Sequence, residues 1–324
     1  MRVEIMDRAL QIQKTVQEIL GIEEVYLVGG SVRDLVMGNE PKDYDFTTAM
    51  LPEEMVEKVK EAGRRVYTIG EKFGTIGFKV PVLEDIPEEE KAGYPNLEPF
   101  GLKPKARQKF EYVEVTTFRS EVYTSKSRKP EVEFVPSLDE DLARRDFTFN
   151  AMVLRSDGTI YDPYGGRLDI HAKQIKTVGM PKDRIMEDPL RIFRAARFAA
   201  RYNFSIDPNF IGKARQLADR VFDVSVERWV QELDKLLTSE YSMRGLMELD
   251  GMGVMRRILP EVVEYNFFEQ VKDPDEAWKT LLDNLYVDEE IKEPTRTNNF
   301  VRAGICARFK FSNDRTDIIL GREK

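Results

Sequence analysis

The stretch that decides the fold is VYLVGGSVRDLVMG at residues 25–38, which KDYDFTT follows at residues 42–48. An apolar run that ends at two glycines and leads into a short amphipathic segment predicts a strand, a tight turn and a helix. Gly29 and Gly30 permit close approach of a ligand to the backbone, and a helix start offers amide donors to an anion. Arg33 adds a guanidinium for charge-assisted hydrogen bonds. The sequence therefore predicts a phosphate-binding turn, although an ordinary tight turn beside a solvated arginine would have the same pattern.

Two carboxylates follow this turn, at Asp43 and Asp45, in a segment whose alternation predicts a second strand. Alternate residues of a strand project to the same face with Cα atoms about 6–7 Å apart. Mg²⁺ prefers oxygen ligands and binds through one or two carboxylates together with substrate phosphates, so this pair could hold one or two such ions. The alternative is a solvated strand end. Glu114, in the strand-like YVEVTTF, either supplies a third carboxylate or simply faces water.

The remaining sequence predicts an α+β protein of two or more domains. We expect a lead-in helix within residues 1–24 and a head domain over 25–165, with a mixed five-stranded sheet and helices. Within this head, the proline-rich and acidic residues 83–110 predict a surface insertion between two strands. After this head the sequence has the apolar spacing of helices, which predicts an all-helical neck over 166–260 and a shortened helical body or tail over 261–324.

Composition excludes several classes of function. The 324 residues contain one cysteine, Cys306, and one histidine, His171, which excludes a disulfide framework, a Cys/His zinc site and a histidine-lined metal site. No apolar run is long enough for a signal peptide or membrane span, so we expect a cytoplasmic protein without a membrane segment. The net charge of −8 argues against a general nucleic-acid binder. Residues 171–220, however, carry eleven Lys and Arg against five Asp and Glu, so the middle of the chain is basic.

Five sequence blocks, in order and spacing, resemble the class II tRNA nucleotidyltransferases and bacterial poly(A) polymerases, a branch of the polymerase-β-like nucleotidyltransferase superfamily. The blocks are LVGGSVRDLVMG with KDYDFTT, VEVTTFRSE, DEDLARRDFTFNAM, DPYGGRLDI and EDPLRIFRAARFAARYNF. They cover most of residues 25–205.

This resemblance implies roles for residues in the predicted head. Asp43 and Asp45 would bind the catalytic metal, with Glu114 as the third catalytic carboxylate. The residues that would bind the nucleotide triphosphate and ribose are Gly29, Gly30, Arg33, Arg144, Asp146 and Asn150. On residue chemistry alone, the Arg144-Arg145 pair could equally be a solvated strand edge. The DPYGGRLD segment at 162–169 resembles the hinge between head and neck.

The resemblance also implies that Asp188 and Arg191 read the incoming base. A carboxylate accepts from the exocyclic amine that cytosine and adenine share, and a guanidinium donates to the adjacent ring nitrogen. The alternative is that Asp188 caps a helix whose first residue is Pro189. Arg191, Arg194, Arg197 and Arg201 fall on one side of the following helix. We interpret them as contacts to triphosphate and RNA backbone, the alternative being a solvated arginine face.

The implied activity is Mg²⁺-dependent, template-independent addition of CCA to the 3′ end of tRNA from CTP and ATP. Residues 70–77 (GEKFGTIG) and 119–130 (RSEVYTSKSRKP) resemble the forms found in full CCA-adding enzymes. A poly(A) polymerase, or a specialist that adds only A or only CC, is the first alternative. A catalytically inactive tRNA- or NTP-binding homologue is the second. The sequence leaves the oligomeric state open.

Overall fold

The computed structural model forms two compact units. The first unit consists of Met1–Arg145 and Phe149–Arg167, and the second consists of Asp146–Thr148 and Leu168–Lys324. Within them the structure describes residues 3–84, 107–122, 131–260, 262–265, 271–283, 285–287 and 296–321. The finer division into lead-in helix, head, neck and tail stays a prediction.

A seven-stranded mixed sheet organises the first unit, which confirms the predicted α+β class. Its strands are β1 (Val25–Val28), β2 (Tyr44–Thr48), β3 (Val66–Tyr67), β4 (Thr75–Glu84), β5 (Arg107–Thr117), β8 (Val153–Leu154) and β9 (Ile160–Tyr161); β6 (Arg119–Val122) and β7 (Glu131–Phe134) form a separate pair. The strand order is β3-β4-β5-β2-β1-β8-β9, and only β2 and β5 pair in parallel. The prediction of five strands was too low because β8 and β9, at two residues each, are too short to show any periodicity.

Helices cover both faces of this sheet. They are α1 (Val3–Leu20), α2 (Gly30–Val36), α3 (Pro52–Glu61) and α4 (Leu138–Ala143). α1 and α3 lie on one face, and α4 lies on the other, where Leu142 packs against Val28 and Val153. The buried side chains of β4 and β5 alternate along each strand and include Phe78, Val113 and Val115, and α1 and α3 pack against β4. Residues that alternate with these buried ones along each strand project to the opposite face of the sheet. Glu114, between Val113 and Val115, lies on that opposite face. The ends of the predicted insertion, residues 83–84 and 107–110, belong to β4 and β5, and its residues 85–106 are outside the described part of the chain.

Helices dominate the second unit, after α5 (Gly166–His171) at the boundary. They are α6 (Pro181–Glu187), α7 (Leu190–Tyr202), α8 (Pro208–Gln216), α9 (Val226–Leu237), α10 (Ser242–Gly251), α11 (Met255–Ile258), α12 (Pro274–Asp283), α13 (Arg296–Arg308) and α14 (Asn313–Leu320). In α10, Gly245 is needed for packing, since a Cβ there would lie 2.8 Å from Ala200 Cβ and 2.9 Å from the Ala196 carbonyl oxygen. The small residues of α7 and α10 therefore let these two helices pack closely.

Two short strand pairs correct the prediction that this region is all helical. β10 (Gln174–Ile175) pairs in parallel with β11 (Ser205–Ile206), and β12 (Val262–Tyr265) pairs antiparallel with β13 (Leu285–Val287). Ile175 and Ile206 are buried, so the first pair contributes to the core. Among the described residues, the structure has no helix that is long and apolar enough to cross a membrane.

Candidate active site

The predicted phosphate-binding turn lies between β1 and α2. The helix begins at Gly30, with Gly29 as its N-cap at φ +70, a conformation that glycine adopts without strain. A Cβ on Gly29 would also lie 2.9 Å from Nη1 of Arg145, so a side chain there would displace this guanidinium. The hydroxyl of Ser31, the next residue, does not cap the helix, because it has other partners.

Ser31 connects this turn to the two candidate catalytic aspartates. Its Oγ donates a hydrogen bond to the backbone oxygen of Asp43 at 2.9 Å and accepts one from the backbone N–H of Asp45 at 3.1 Å. The start of α2 is thereby fixed to the start of β2. Sequence reasoning missed this role, since nothing in the local pattern distinguishes a serine that bonds across the fold from one that caps its own helix.

The carboxylates of β2 and β5 lie side by side in the sheet. Asp45 is directly opposite Glu114 in the parallel pairing of the two strands, and Asp43 precedes β2 by one residue. The pKa of Asp45 is raised to about 6, chiefly by burial and in addition by the charges of Glu114 and Asp43, while Arg145 and Arg33 oppose the shift. Glu114 is exposed, as the alternative interpretation required, but it also acts electrostatically on Asp45. The negative charges of Asp43, Asp45 and Glu114 therefore lie close together at this edge of β2.

These residues fit a hard divalent cation. Their donors are all carboxylate oxygens, and a bound cation would offset the mutual repulsion that raises the pKa of Asp45. Across the described residues no group of three or more His, Cys, Asp or Glu side chains has a geometry that would hold a metal without other ligands. The candidate ligands are accordingly Asp43 and Asp45, with the substrate phosphates completing the coordination.

Arg33 and Asn150, both predicted to bind nucleotide, form one buried pair. Nη1 of Arg33 donates to Oδ1 of Asn150 at 2.8 Å, and its Nε donates to Oδ1 of Asp34 at 2.9 Å. Because Asp34 already provides a countercharge, Arg33 is held in a fixed position close to the carboxylates. Its contact with a triphosphate, and that of Asn150 with a ribose, remain predictions.

Arg144 and Arg145 share a single buried carboxylate, that of Asp141 at the end of α4. Arg144 contacts Asp141 Oδ1 at 2.7 Å and Arg145 contacts Oδ2 at 2.9 Å. Burial alone would raise the pKa of Asp141, but the two guanidinium groups keep it below its ordinary value. The pair therefore does not form a solvated strand edge. Arg145 also contacts the backbone oxygen of Asn150 at 3.5 Å, beside the phosphate-binding turn.

In the second unit, Arg194 and Arg197 of the predicted arginine stripe on α7 are paired with acids. Arg194 makes two hydrogen bonds to Oδ2 of Asp146, at 2.8 and 2.5 Å. Nε of Arg197 lies 2.6 Å from Oε2 of Glu232, and both side chains are buried. Asp146, which was predicted to contact ribose, thus also has a structural partner. The alternative of a solvated arginine face was wrong for these two residues.

Asp188, a predicted base reader, accepts a hydrogen bond from the backbone N–H of Leu190 at 3.1 Å. This supports the capping alternative, although α7 begins at Leu190 rather than at Pro189. The other carboxylate oxygen of Asp188 contacts Arg228 at 3.0 Å, a partner that the sequence did not suggest. Arg191 is buried and contacts Glu187 at 2.6 Å. Base reading by Asp188 and Arg191 stays a prediction.

Comparison with known proteins identifies two matching family models. Residues 25–85 and 98–176 match the poly A polymerase head domain, and residues 203–265 match the probable RNA and SrmB-binding site of polymerase A. The first match contains the turn and the carboxylates described above.

Curated relatives and a solved structure agree with these matches. The chain is 39% identical over 232 residues to a CCA-adding enzyme of Levilactobacillus brevis, covering 71% of this chain and 50% of that one. It is 36% identical over 275 residues to the CCA-adding enzyme of Bacillus subtilis, covering 81% of this chain and 60% of that one. The chain therefore spans between half and about three fifths of these relatives.

The crystal structure of the Bacillus stearothermophilus CCA-adding enzyme in complex with CTP superimposes with a TM-score of 0.68 at 28% identity, covering 98% of this chain and 68% of that one. Sequence and fold lead to the same assignment. The chain belongs to the family of class II CCA-adding enzymes and bacterial poly(A) polymerases.

Proposed function

We propose that this protein is a template-independent nucleotidyltransferase that adds CCA to the 3′ end of tRNA from CTP and ATP, with Mg²⁺ as the divalent ion. The observation that carries the proposal is the placement of Asp45, which lies directly opposite Glu114 and two residues after Asp43. The backbone N–H of Asp45 is also bonded to Ser31, beside the glycine turn. The curated relatives named above are CCA-adding enzymes, which favours this activity within the family.

The residues of the first unit would share the work as follows. Asp43 and Asp45 would hold the cation, and Gly29, Gly30 and Arg33 would bind the triphosphate beside it. When bound, the cation lowers the pKa of the attacking hydroxyl and neutralises the leaving pyrophosphate. Ser31 fixes the spacing of both groups by its two hydrogen bonds to the backbone of β2. Glu114, at the adjacent position on β5, would add negative charge that strengthens cation binding.

Residues of the second unit would select the nucleotide. Asp188 and Arg191 would pair with the shared edge of cytosine and adenine, and uracil and guanine present the opposite pattern of donors and acceptors. Arg194 holds Asp146 by two hydrogen bonds, so we expect it to orient the carboxylate proposed to contact ribose. The cytoplasmic location expected from the sequence belongs to this proposal as well.

An incorporation assay tests the activity. The full chain is incubated with Mg²⁺, tRNA lacking its terminal nucleotides, and each labelled NTP in turn. The proposal predicts incorporation of C followed by A, without U or G. Failure to incorporate C would contradict CCA addition, and incorporation of A alone would indicate a poly(A) polymerase or an A-adding specialist.

A further inference from the structure

The sheet of the first unit places its candidate catalytic carboxylates between two different surfaces. The glycine turn follows β1, which pairs with one edge of β2. On the other edge of β2, a single cross-strand row runs from Asp45 through Glu114 and Gly77 to Tyr67. A transferase needs two substrates at its reacting centre. Because the turn offers a triphosphate site on the β1 side, the β4 and β3 side is left for the acceptor.

A matched glycine and tyrosine occupy that second side. A Cβ on Gly77 would lie 1.9 Å from the hydroxyl oxygen of Tyr112, so the tyrosine ring lies across β4 in space that only glycine leaves open. Its hydroxyl is 3.5 Å from Oε1 of Glu114. The ring of Tyr67 meets the ring of Tyr112 at a centroid distance of 5.8 Å and an angle of 65°. Two aromatic rings thus adjoin the candidate catalytic carboxylate of β5.

Positive charges border these rings. The guanidinium of Arg65 lies 5.2 Å from the centroid of Tyr67, and Lys79 is directly opposite Tyr112 in the pairing of β4 and β5. Arg65, Lys79 and Tyr112 are exposed, and Tyr67 is half-buried. We call Tyr67 and Tyr112 with these two cations the tyrosine face. Aromatic rings with adjacent cations suit single-stranded nucleic acid, whose bases stack while its phosphates contact the cations.

We propose that the tyrosine face binds the single-stranded 3′ end of the RNA acceptor, with a base stacked on Tyr112 so that the terminal hydroxyl lies near Asp45 and Glu114. This inference rests on the proposed function, because it supplies the second substrate of the same reaction. By strand spacing, Tyr67 on β3 is only about 10 Å from Glu114 on β5. The last nucleotides of an acceptor can therefore contact the face while their end reaches the carboxylates.

Three substitutions separate stacking from other roles of Tyr112. Tyr112→Ala removes the ring, Tyr112→Phe keeps the ring without its hydroxyl, and Gly77→Ala keeps the tyrosine but displaces it. Binding of a short fluorescent single-stranded RNA ending in CC to the full chain is measured by anisotropy, without NTP. We expect Tyr112→Ala and Gly77→Ala to weaken RNA binding about tenfold and Tyr112→Phe by at most about twofold. Circular dichroism confirms that each variant is folded.

A charge comparison and a kinetic comparison complete the test. Lys79→Ala should weaken RNA binding, whereas Lys60→Ala, at an exposed lysine of α3, should not. In the incorporation assay, KM for the tRNA should rise in Tyr112→Ala while KM for CTP stays within about twofold.

Unchanged RNA binding in both Tyr112→Ala and Gly77→Ala would overturn the inference. Equal loss in Tyr112→Phe and Tyr112→Ala would overturn it too, by assigning the effect to the hydroxyl near Glu114. Since the anisotropy measurement needs no turnover, an inactive wild-type chain that still shows the expected order of RNA affinities would contradict the proposed function while supporting RNA binding by the tyrosine face.

Discussion

The two units of this protein use carboxylates in opposite ways. In the first unit, Asp43, Asp45 and Glu114 bring like charges together, and the pKa of Asp45 rises to about 6. In the second unit, Asp146 and Glu232 are each within ion-pair distance of an arginine of α7. The first arrangement is unfavourable until a cation binds, whereas the second supplies its own countercharges.

This difference indicates which cluster depends on a bound cation and which is already balanced in charge by the protein. A buried carboxylate that faces other carboxylates destabilises the protein by itself, so its retention points to a function. A buried ion pair with matched charges needs no ligand to explain it, and its removal should affect stability first. The predictions below test the contrast from its largest expected effect to its smallest.

Removing either aspartate of the first cluster should abolish nucleotide addition. Asp43→Ala and Asp45→Ala should each lower incorporation at least about 10³-fold, because the metal would lose one of its two proposed carboxylate ligands. Binding of tRNA, measured by filter retention, should survive in both variants. Retained turnover in both would show that the metal assignment is wrong.

Breaking the second cluster should damage stability instead. Glu232→Gln should lower the free energy of unfolding by about 3 kcal/mol, because it leaves the buried guanidinium of Arg197 without its countercharge. The matched control is Glu227→Gln, which removes the exposed ion pair with Lys310 and should not shift the denaturation midpoint. An equal loss of unfolding free energy in the two variants would contradict the claim that the buried ion pair contributes more to stability than the exposed one.

Neutralising the raised-pKa aspartate should stabilise the metal-free protein in a pH-dependent way. The folded state holds the Asp45 proton up to about pH 6, while the unfolded chain releases it near 3.8, so folding becomes less favourable as pH rises through that window. Asp45→Asn should therefore raise the free energy of unfolding at pH 8 by up to about 3 kcal/mol.

Chemical denaturation at two pH values checks this prediction. The gain in Asp45→Asn should shrink towards zero at pH 4. Glu18→Gln, at an exposed carboxylate of α1, should leave the midpoint unchanged at pH 8. A gain that is as large at pH 4 as at pH 8 would mean that ionisation of Asp45 is not its cause.

The smallest effect concerns base selection in the second unit. Arg191→Ala should reduce the preference for C and A over U and G about tenfold, as expected for loss of one base-edge contact. Arg201→Ala, at an exposed arginine of the same helix, is the control and should keep the preference. Unchanged selectivity in Arg191→Ala would contradict base reading by this pair. The role of Asp188 would then be structural, through its contacts with Leu190 and Arg228.

Local patterns predicted the elements that carry the candidate site. The alternation around Asp43 and Asp45 and the run ending at Gly29 predicted β1, α2 and β2 with boundaries within one or two residues of those observed. These features depend on neighbours in sequence, which is why a single chain reveals them. The strand containing Glu114 was predicted for the same reason.

Long-range pairs could not be predicted in this way. Arg194 and Asp146 are 48 residues apart, and Arg33 and Asn150 are 117 apart, so no local periodicity connects them. The sequence identified these residues as charged or polar and left their partners open. The space that Gly77 leaves for Tyr112 is a similar case, because it depends on the register between β4 and β5.

Thermal unfolding of the full chain with and without Mg²⁺ at pH 7.5 tests the central claim most directly. If the carboxylates of β2 bind the cation, Mg²⁺ should raise the midpoint of the wild-type protein by favouring the folded state, and the rise should disappear in the Asp43→Ala/Asp45→Ala double variant. The rise should also be smaller at pH 5, where protons compete for Asp45. An equal rise in wild type and double variant would contradict the account.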